Sequence, residues 1–457
     1  MAGIGFELRK ILNRDTLTSD LTAFGLAGVI SSGTWVISIF GILILGVLVS
    51  FVPAYYVSVT EFQISVTYLI ASSLILSGIA QHSFTRYIAD QLFLHQVTKV
   101  IPNLNGMMLA ITLFSGILSF IAILFLFPQE SIMYRFLFMG CFVVLCNIWI
   151  TTNLLAGLKN YKLILLAFTL GYGITLGLGY SLRSFGLEGF MFSFLIGQLT
   201  LLLILHLALY QYYSTDYLID FDFLRRKNIY LSLVVTSFCY NLGIWIDKFI
   251  FWFTPSTSYA VLGPLRGSLI YDVPIFLAYL ALIPGMAIFL LRVETDFADY
   301  YQMFYNAIRN GQTLNHIRLM RDKMISAGQN AIHEIIKMQL VIIMLIFLLG
   351  ERILIFLHIS VIYKNLLYID VIGTSLQVIF LAILNILFYL DQRKDALLLC
   401  GLFVVLNGIF TLLTIHFGPL YYGYGFTLAL VVVCTYGMHL LNYEFTDIDY
   451  KAIMLRS

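Results

Sequence analysis

The chain has 457 residues, of which 60% are hydrophobic and only 11% are charged, and its mean hydropathy is +0.93. A soluble protein of this length exposes far more charge, so the composition excludes that class and indicates a polytopic membrane protein. The formal net charge of +2 favours no charged partner and gives no indication of nucleic acid binding. The five cysteines lie in apolar runs without C-x-x-C spacing, which supports neither a disulfide framework nor a zinc site.

Residues 1–20 predict an amphipathic helix that lies in the headgroup region of a lipid bilayer. Ile4, Leu8 and Ile11 fall on one face of this helix, and Arg9 and Lys10 fall on the other. The apolar run that follows is too long for the core of a cleaved signal peptide. A frayed tail is the alternative interpretation of this segment.

About twelve segments are long and apolar enough to cross a membrane, for which about 20 apolar residues are needed. They lie at Leu21–Phe51, Ile64–Ala89, Ile101–Phe127, Ile132–Gly157, Leu163–Leu182, Gly189–Tyr212, Ile229–Phe253, Leu265–Leu291, Ile332–Gly350, Asn365–Leu390, Ala396–Phe417 and Gly425–Tyr443. The pattern predicts an all-α integral membrane protein with a six-helix bundle at 21–213, a linker at 214–228 and a second six-helix bundle at 229–443. Residues 444–457 are then a cytoplasmic tail.

Lysine and arginine cluster in alternate loops, and the opposite loops, such as Phe51–Phe62 and Gly418–Tyr424, carry almost none. The positive-inside rule therefore predicts that both termini lie in the cytoplasm, which requires an even number of spans.

The longest predicted cytoplasmic connection, residues 292–330, carries an apolar stripe. The stripe consists of Tyr300, Tyr301, Phe304, Tyr305 and Ile308. Two interpretations stay open: a linker that lies on the membrane surface, or a docking site for a cytoplasmic partner.

Four charged residues lie inside two neighbouring predicted spans. Asp247 and Lys248 come late in the seventh span, and Arg266 and Asp272 come early in the eighth. An ionised side chain at the bilayer centre costs about 3 kcal/mol on insertion scales, so such residues face partners or water. One interpretation pairs Asp247 with Arg266, and Lys248 with Asp272, across a helical hairpin. The other places all four along a hydrophilic interior that contacts a polar cargo, and the two are compatible.

Polar residues and prolines add weaker indications of a substrate pathway. Asn147 and Thr151 are four residues apart in the fourth span and share a helix face. Pro274 and Pro284 in the eighth span each free a backbone carbonyl, and interrupted helices often mark transport sites.

No pattern in the sequence predicts an enzyme, a cofactor or a metal site. There is no glycine-rich phosphate-binding loop, and the histidines have no metal-ligand spacing. Two D-x-D triplets, at 220–222 and 447–449, match a pattern that binds a metal and a nucleotide sugar in some glycosyltransferases. Both flank predicted membrane spans, where acidic residues are expected because the ends of the spans contact water.

Several motifs together resemble the PelG family of Pel exopolysaccharide transporters. The resemblance covers the whole chain and is carried by Met1–Lys10, Ser31–Trp35, Tyr240–Lys248, Gly263–Arg266, Tyr271–Asp272, Pro284–Met286 and Glu294–Phe297.

This resemblance implies a fold of the multidrug/oligosaccharidyl-lipid/polysaccharide (MOP) superfamily, similar to MATE transporters, with two six-helix bundles around a central cavity. It implies translocation of an amino-sugar polymer across the bacterial cytoplasmic membrane. It also implies a PelF-like cytoplasmic glycosyltransferase and PelD- and PelE-like membrane proteins as partners, PelD being a cyclic-di-GMP receptor.

The resemblance further implies a partly cationic cargo, which acidic interior groups such as Asp247 and Asp272 would suit. Asn241, Trp245 and Tyr271 would then offer hydrogen bonds and stacking surfaces. The basic residues Lys248 and Arg266 would keep the acids ionised, because a nearby opposite charge favours the charged form.

Two other functions stay open on the sequence. The first is an ion-coupled flippase or exporter of a lipid-linked oligosaccharide or small molecule, which an unpaired titratable acid in the interior would favour. The second is a membrane scaffold of a polysaccharide synthase that conducts nothing, which a closed, apolar interior would favour. A membrane-embedded glycosyltransferase is disfavoured because the chain has no soluble nucleotide-binding domain.

Overall fold

The computed structural model of the chain describes residues 24–46, with gaps at 26, 29, 31, 33, 35, 36 and 40, and residues 56–453 apart from 159, 214 and 216. The predicted N-terminal helix at 1–20 lies outside the described residues, as do both ends of the predicted first span.

From Tyr56 onward the described residues form thirteen α-helices and one two-stranded sheet. The helices are α1 (Tyr56–Phe93), α2 (Val100–Leu126), α3 (Ile132–Gly157), α4 (Tyr161–Ser181), α5 (Gly186–Tyr212), α6 (Leu231–Phe253), α7 (Leu269–Leu280), α8 (Leu282–Leu291), α9 (Ala298–Arg309), α10 (Leu314–Phe356), α11 (Lys364–Tyr389), α12 (Arg393–Phe417) and α13 (Tyr424–Ile453). The strands are β1 (Tyr259–Leu262) and β2 (Leu265–Gly267).

Eleven helical segments within the described part of the chain are long and apolar enough to cross a membrane. One of them, Leu269–Arg309, combines α7, α8 and α9 through a π-helical turn at Arg292–Phe297. Helices dominate because each backbone N–H must find its partner within its own segment when lipid replaces water. The predicted class, an all-α polytopic membrane protein, is confirmed.

The chain between α6 and α7 forms a β-hairpin instead of a direct helix–helix turn. Strands β1 and β2 pair antiparallel, with Ala260 opposite Arg266, and the turn passes through Gly263 at φ 49°. Glycine suits this turn because it has no Cβ, which in other residues would clash with the backbone at a positive φ. The prediction that Arg266 lies inside the eighth span is therefore wrong, since that helix begins only at Leu269.

The eighth span is interrupted as the prolines predicted, but only one of them causes the break. Helix α7 ends at Leu280 and α8 begins at Leu282. Pro284 has no N–H, and its ring clashes with the carbonyl four residues earlier, which is that of Leu280. Pro274 lies inside α7 without ending it.

The predicted apolar stripe in the 292–330 connection packs against the chain itself. Phe304 is fully buried, and the rings of Phe297 and Tyr301 lie 5.6 Å and 5.4 Å from that of Tyr389 in α11. The chain itself therefore covers the centre of this stripe, whereas Tyr300, Tyr305 and Ile308 are only partly buried. The two predicted roles of the connection, a linker on the membrane surface or a docking site, stay predictions. A sequence pattern shows that a face is apolar but does not show what covers it.

The chain divides into two compact units. The first unit comprises Ile246–Phe251 and the chain from Leu269 onward, together with the described residues up to Ser32. The second unit comprises Gly33–Trp245 and Trp252–Ser268 where these are described, so α6 contributes to both units. The predicted bundle boundaries at 213 and 229 stay a prediction.

A buried apolar cluster holds α7, α10 and α11 of the first unit together. Its members are Ala278, Ala281, Leu354, Leu367 and Val371. The small alanines allow α7 to approach α11 closely, and the Thr374 hydroxyl donates to the Ala278 carbonyl at 3.1 Å.

Candidate functional site

An ion pair lies buried in the first unit, on the part of α6 that belongs to it. The Lys248 Nζ lies 3.0 Å from Asp247 Oδ2 and 3.3 Å from Asp247 Oδ1. Both side chains are 0% exposed. A charge this deeply buried needs a counter-charge and hydrogen bonds, because either charge alone would be strongly destabilising.

Two neutral side chains from other helices complete the surroundings of Asp247. The Tyr271 hydroxyl of α7 donates to Asp247 Oδ2 at 2.6 Å, and the Asn407 amide of α12 lies 3.5 Å from Oδ1. Thr411 donates in turn to the Asn407 side-chain oxygen at 3.1 Å, which orients that amide. The carboxylate is therefore held by three helices.

Two aromatic rings face the other side of the Lys248 ammonium. Its Nζ lies 5.1 Å from the centre of the Tyr279 ring and 5.2 Å from that of Phe426. Ring faces attract cations, and the attraction is larger where water is excluded. The ammonium thus has a carboxylate on one side and apolar rings on the other.

The predicted pairing of Asp247 with Arg266 is wrong. The Arg266 guanidinium donates to the Ser258 hydroxyl at 2.8 Å and to the Ser258 carbonyl at 3.1 Å, both within the β-hairpin. The predicted partner of Lys248 was Asp272, whereas the structure pairs Lys248 with its own neighbour in the sequence. Adjacent residues on a helix do not face each other, which argued against this pair, but the four-carbon lysine stem is long enough to fold back.

Asp272 lies half-buried in the first turn of α7. Negative charge is favourable at this position because the free N–H groups of the first helical turn carry partial positive charge.

Asp370 of α11, which is absent from the residues predicted for this pathway, also lies at this site. Its side chain is fully buried, and neither carboxylate oxygen has a hydrogen-bond partner. The charges of Lys248 and Asp247 both act on it. A signal was present, because Asp370 is the single acidic residue in the predicted span Asn365–Leu390.

The remaining predicted pathway residues lie in the second unit. Asn147 donates to the Thr112 hydroxyl at 2.9 Å, and Thr151 donates to the Asn147 carbonyl at 2.8 Å. Trp245 is buried, and its ring lies 6.3 Å from that of Trp252. Asn241 is also buried. Of the nine predicted residues, the structure brings Asp247, Lys248 and Tyr271 into direct contact, and the assignment of all nine to one pathway stays a prediction.

The described residues contain no group of three or more His, Cys, Asp or Glu side chains placed to hold a metal ion. The D-x-D triplet at 220–222 has a structural explanation, because Asp222 pairs with Lys99 at 3.3 Å and with Arg225 at 2.8 Å.

Comparison with protein families gives one match along nearly the whole sequence. Residues 1–452 match the profile of the family PelG, described as "Putative exopolysaccharide Exporter (EPS-E)". No curated protein sequence matches the chain.

Solved structures of MOP-superfamily transporters have the same fold. A multidrug resistance MATE family transporter in its outward-facing conformation has a TM-score of 0.64 at 16% identity, with 94% of this chain and 96% of the other covered. A MOP superfamily transporter from Pyrococcus furiosus, whose structure is described as having a binding pocket of reversed polarity, has a TM-score of 0.59 at 14% identity, with the same coverage. An inward-facing MATE structure has a TM-score of 0.59 at 15% identity, with 91% and 95% covered. The predicted MOP/MATE-like fold is confirmed.

Proposed function

Because the chain belongs to the PelG family of exopolysaccharide exporters, we propose that it carries a Pel-type amino-sugar polymer across the bacterial cytoplasmic membrane. The observation that carries this proposal is the family match over residues 1–452, which agrees with the transporter fold. Family and fold are those of a transporter and not of an enzyme. The polymer is therefore made elsewhere and passed to this chain.

The proposal includes a synthase and export complex. A PelF-like glycosyltransferase supplies the polymer on the cytoplasmic side, and PelD- and PelE-like membrane proteins hold the enzyme near the transporter. Both termini of this chain then lie in the cytoplasm, as the distribution of basic residues predicts.

Asp272 is the acid that we assign to cargo contact. Asp247 is fully buried, and its oxygens already accept from Lys248, Tyr271 and Asn407. Asp272 is only half-buried and lies at the start of α7, so a cationic sugar reaches it with less rearrangement.

The Asp272→Ala variant tests this assignment in a strain that lacks the chromosomal copy of the gene. We expect secreted polymer to fall about tenfold, which corresponds to one charge-assisted hydrogen bond of about 1.5 kcal/mol. The amount of protein in the membrane fraction is expected to stay constant. Secreted polymer is measured by a sugar-specific blot.

Asp322→Ala is the matched control, because Asp322 is 61% exposed and precedes the predicted ninth span, Ile332–Gly350. A wild-type level of secreted polymer in the Asp272→Ala strain would show that Asp272 does not contact the cargo. Normal secretion from the deletion strain itself would refute export by this chain.

A further inference from the structure

The charges of Asp247, Lys248 and Asp370 in the first unit do not sum to zero when both acids are ionised. Asp247, Lys248 and Asp370 are each 0% exposed. Two carboxylates and one ammonium leave one negative charge without compensation. An unpaired ion in a protein interior costs several kcal/mol, so such a group normally gains a counter-charge or becomes neutral.

The hydrogen bonds identify the acid that lacks compensation. Asp247 accepts from the Lys248 ammonium and from the Tyr271 hydroxyl at 3.0 Å and 2.6 Å. Both oxygens of Asp370 lack any donor. An ionised carboxylate would need several donors in this position, whereas a neutral carboxylic acid needs fewer.

The backbone that covers Asp370 also offers a place for its charged form. A Cβ on Gly423 would lie 2.7 Å from Asp370 Oδ1, and Gly423 has a φ of 83°. Gly423 immediately precedes the 30-residue helix α13, and its carbonyl accepts from the Thr427 amide at 3.2 Å. The first turn of a helix has amide donors without intrahelical acceptors and stabilises nearby anions. Asp370 Oδ1 therefore lies close to the start of α13, where partial positive charge favours the ionised form.

The other groups around Asp370 are few and can be named element by element. Helix α6 contributes Asp247 and Lys248, and α7 contributes Tyr271 and Tyr279. Helix α12 presents the neutral Asn407, α13 presents Gly423 and Phe426, and α8 contains no titratable residue.

Charged groups farther along α11 have partners of their own. Lys364 pairs with Glu351 of α10 at 2.9 Å, and Glu294 of the π-helical turn accepts from Asn385 at 3.0 Å. Asn385 is fifteen residues from Asp370, which is about 22 Å along the helix. Among the described residues, Lys248 is thus the positive charge that acts on Asp370, and it is already paired with Asp247.

We propose that Asp370 is a proton-binding site, with Lys248 as the counter-charge that its two neighbouring acids share. In the protonated state the proton is on Asp370, and Lys248 pairs with Asp247 as it does in the structure. When the Asp370 O–H bond breaks, the proton passes to water and the electron pair stays on the carboxylate. Lys248 keeps its three protons, and its ammonium is then drawn by two carboxylates instead of one.

The ligand of this site is a proton and not a metal ion. The part of the chain that the structure describes contains no cluster of ligating side chains that could hold a metal. One proton is also sufficient to make the three-residue group neutral. Movement of Lys248 away from Asp247 would leave the Tyr271 hydroxyl as a donor to Asp247 without the ammonium beside it. Tyr271 lies on α7, the helix that also carries the proposed cargo contact Asp272. The idea that proton binding supplies energy for export rests on the proposed export function. Proton binding by Asp370 does not itself depend on the cargo.

The test is infrared spectroscopy of the full-length protein in lipid nanodiscs during a pH titration without polymer. The wild-type protein is expected to show the C=O stretch of a protonated carboxylic acid at neutral pH, and the band should shift in D₂O. Asp370→Asn is expected to lose this band. Glu351→Gln, which removes a carboxylate that is 53% exposed, is expected to retain it.

Lys248→Met provides a second measurement. Asp247 loses its cation in this variant and must also become neutral, so the carboxylic acid band should increase about twofold.

The absence of the band from the wild-type protein throughout the titration would overturn the proposal, even if no variant folds. A band that persists unchanged in Asp370→Asn would overturn it equally. Because no polymer is present, either result leaves the export proposal to the secretion assay.

Discussion

At the scale of single residues, the buried pair of Asp247 and Lys248 has the largest expected effect on stability. Removal of Lys248 leaves Asp247 without compensation, so that this acid must take up a proton at a cost in stability, whereas removal of both partners leaves a neutral site. We expect Lys248→Met to lower the free energy of unfolding by about 3–5 kcal/mol. Thermal unfolding in detergent micelles, followed by intrinsic fluorescence, measures this change.

The double variant Asp247→Asn with Lys248→Met is expected to recover most of the lost stability. Lys364→Met is the matched control, because its partner Glu351 is 53% exposed and water compensates the remaining charge. Equal unfolding temperatures for Lys248→Met and Lys364→Met would show that the buried pair does not stabilise the fold.

At the scale of helices, α4 and α5 of the second unit approach closely through glycine. A Cβ on Gly197 would lie 2.1 Å from the Thr175 hydroxyl oxygen and 2.5 Å from the Gly171 carbonyl. Close contact between small residues is the usual means of helix association in a bilayer, where burial of apolar area contributes little. These glycines therefore set the distance between the two helices.

We expect Gly197→Leu to destabilise the protein by about 3 kcal/mol or to prevent its folding, because a leucine cannot fit without separating the helices. The yield of monodisperse protein after size-exclusion chromatography measures the effect.

Gly173→Leu is the matched control on α4. A Cβ at Gly173 would have no neighbour within 4 Å, and leucine is a better helix former than glycine. A yield as low for Gly173→Leu as for Gly197→Leu would show that helix packing is not the cause.

At the scale of the whole molecule, the orientation in the membrane follows from the loops. We predict that the connection between α9 and α10 lies in the cytoplasm and that the connection between α2 and α3 lies on the opposite side. In a cysteine-free background, Gln312→Cys should react with a membrane-impermeant maleimide only after the cells are permeabilised. Gln129→Cys should react in intact cells, and both positions are exposed.

The cysteine-free parent protein controls for background labelling. The reversed pattern would place both termini outside the cytoplasm. Labelling of both positions in intact cells would contradict the odd number of spans that separates them.

Hydropathy was enough to predict the fold class, because a bilayer allows only those structures in which every backbone polar group is paired internally. A segment of about 20 apolar residues with every backbone group paired internally must be a helix. The break before Pro284 was equally local, since a missing N–H and a ring clash act within one helical turn. The predicted Arg266 position was wrong because the four residues before Gly263 and the three residues after Pro264 form a strand pair, which the apolar run did not indicate.

The sequence by itself determined that this chain crosses a membrane many times, where most of its helices lie, and that charges around Asp247 and Lys248 lie within apolar helices. Only the tertiary structure decided which of these charges pair, and it placed Asp370 beside them from more than a hundred residues farther along the chain. The physical reason is distance. Helix formation depends on bonds between residues four apart, whereas the compensation of a buried charge depends on whichever helices pack around it.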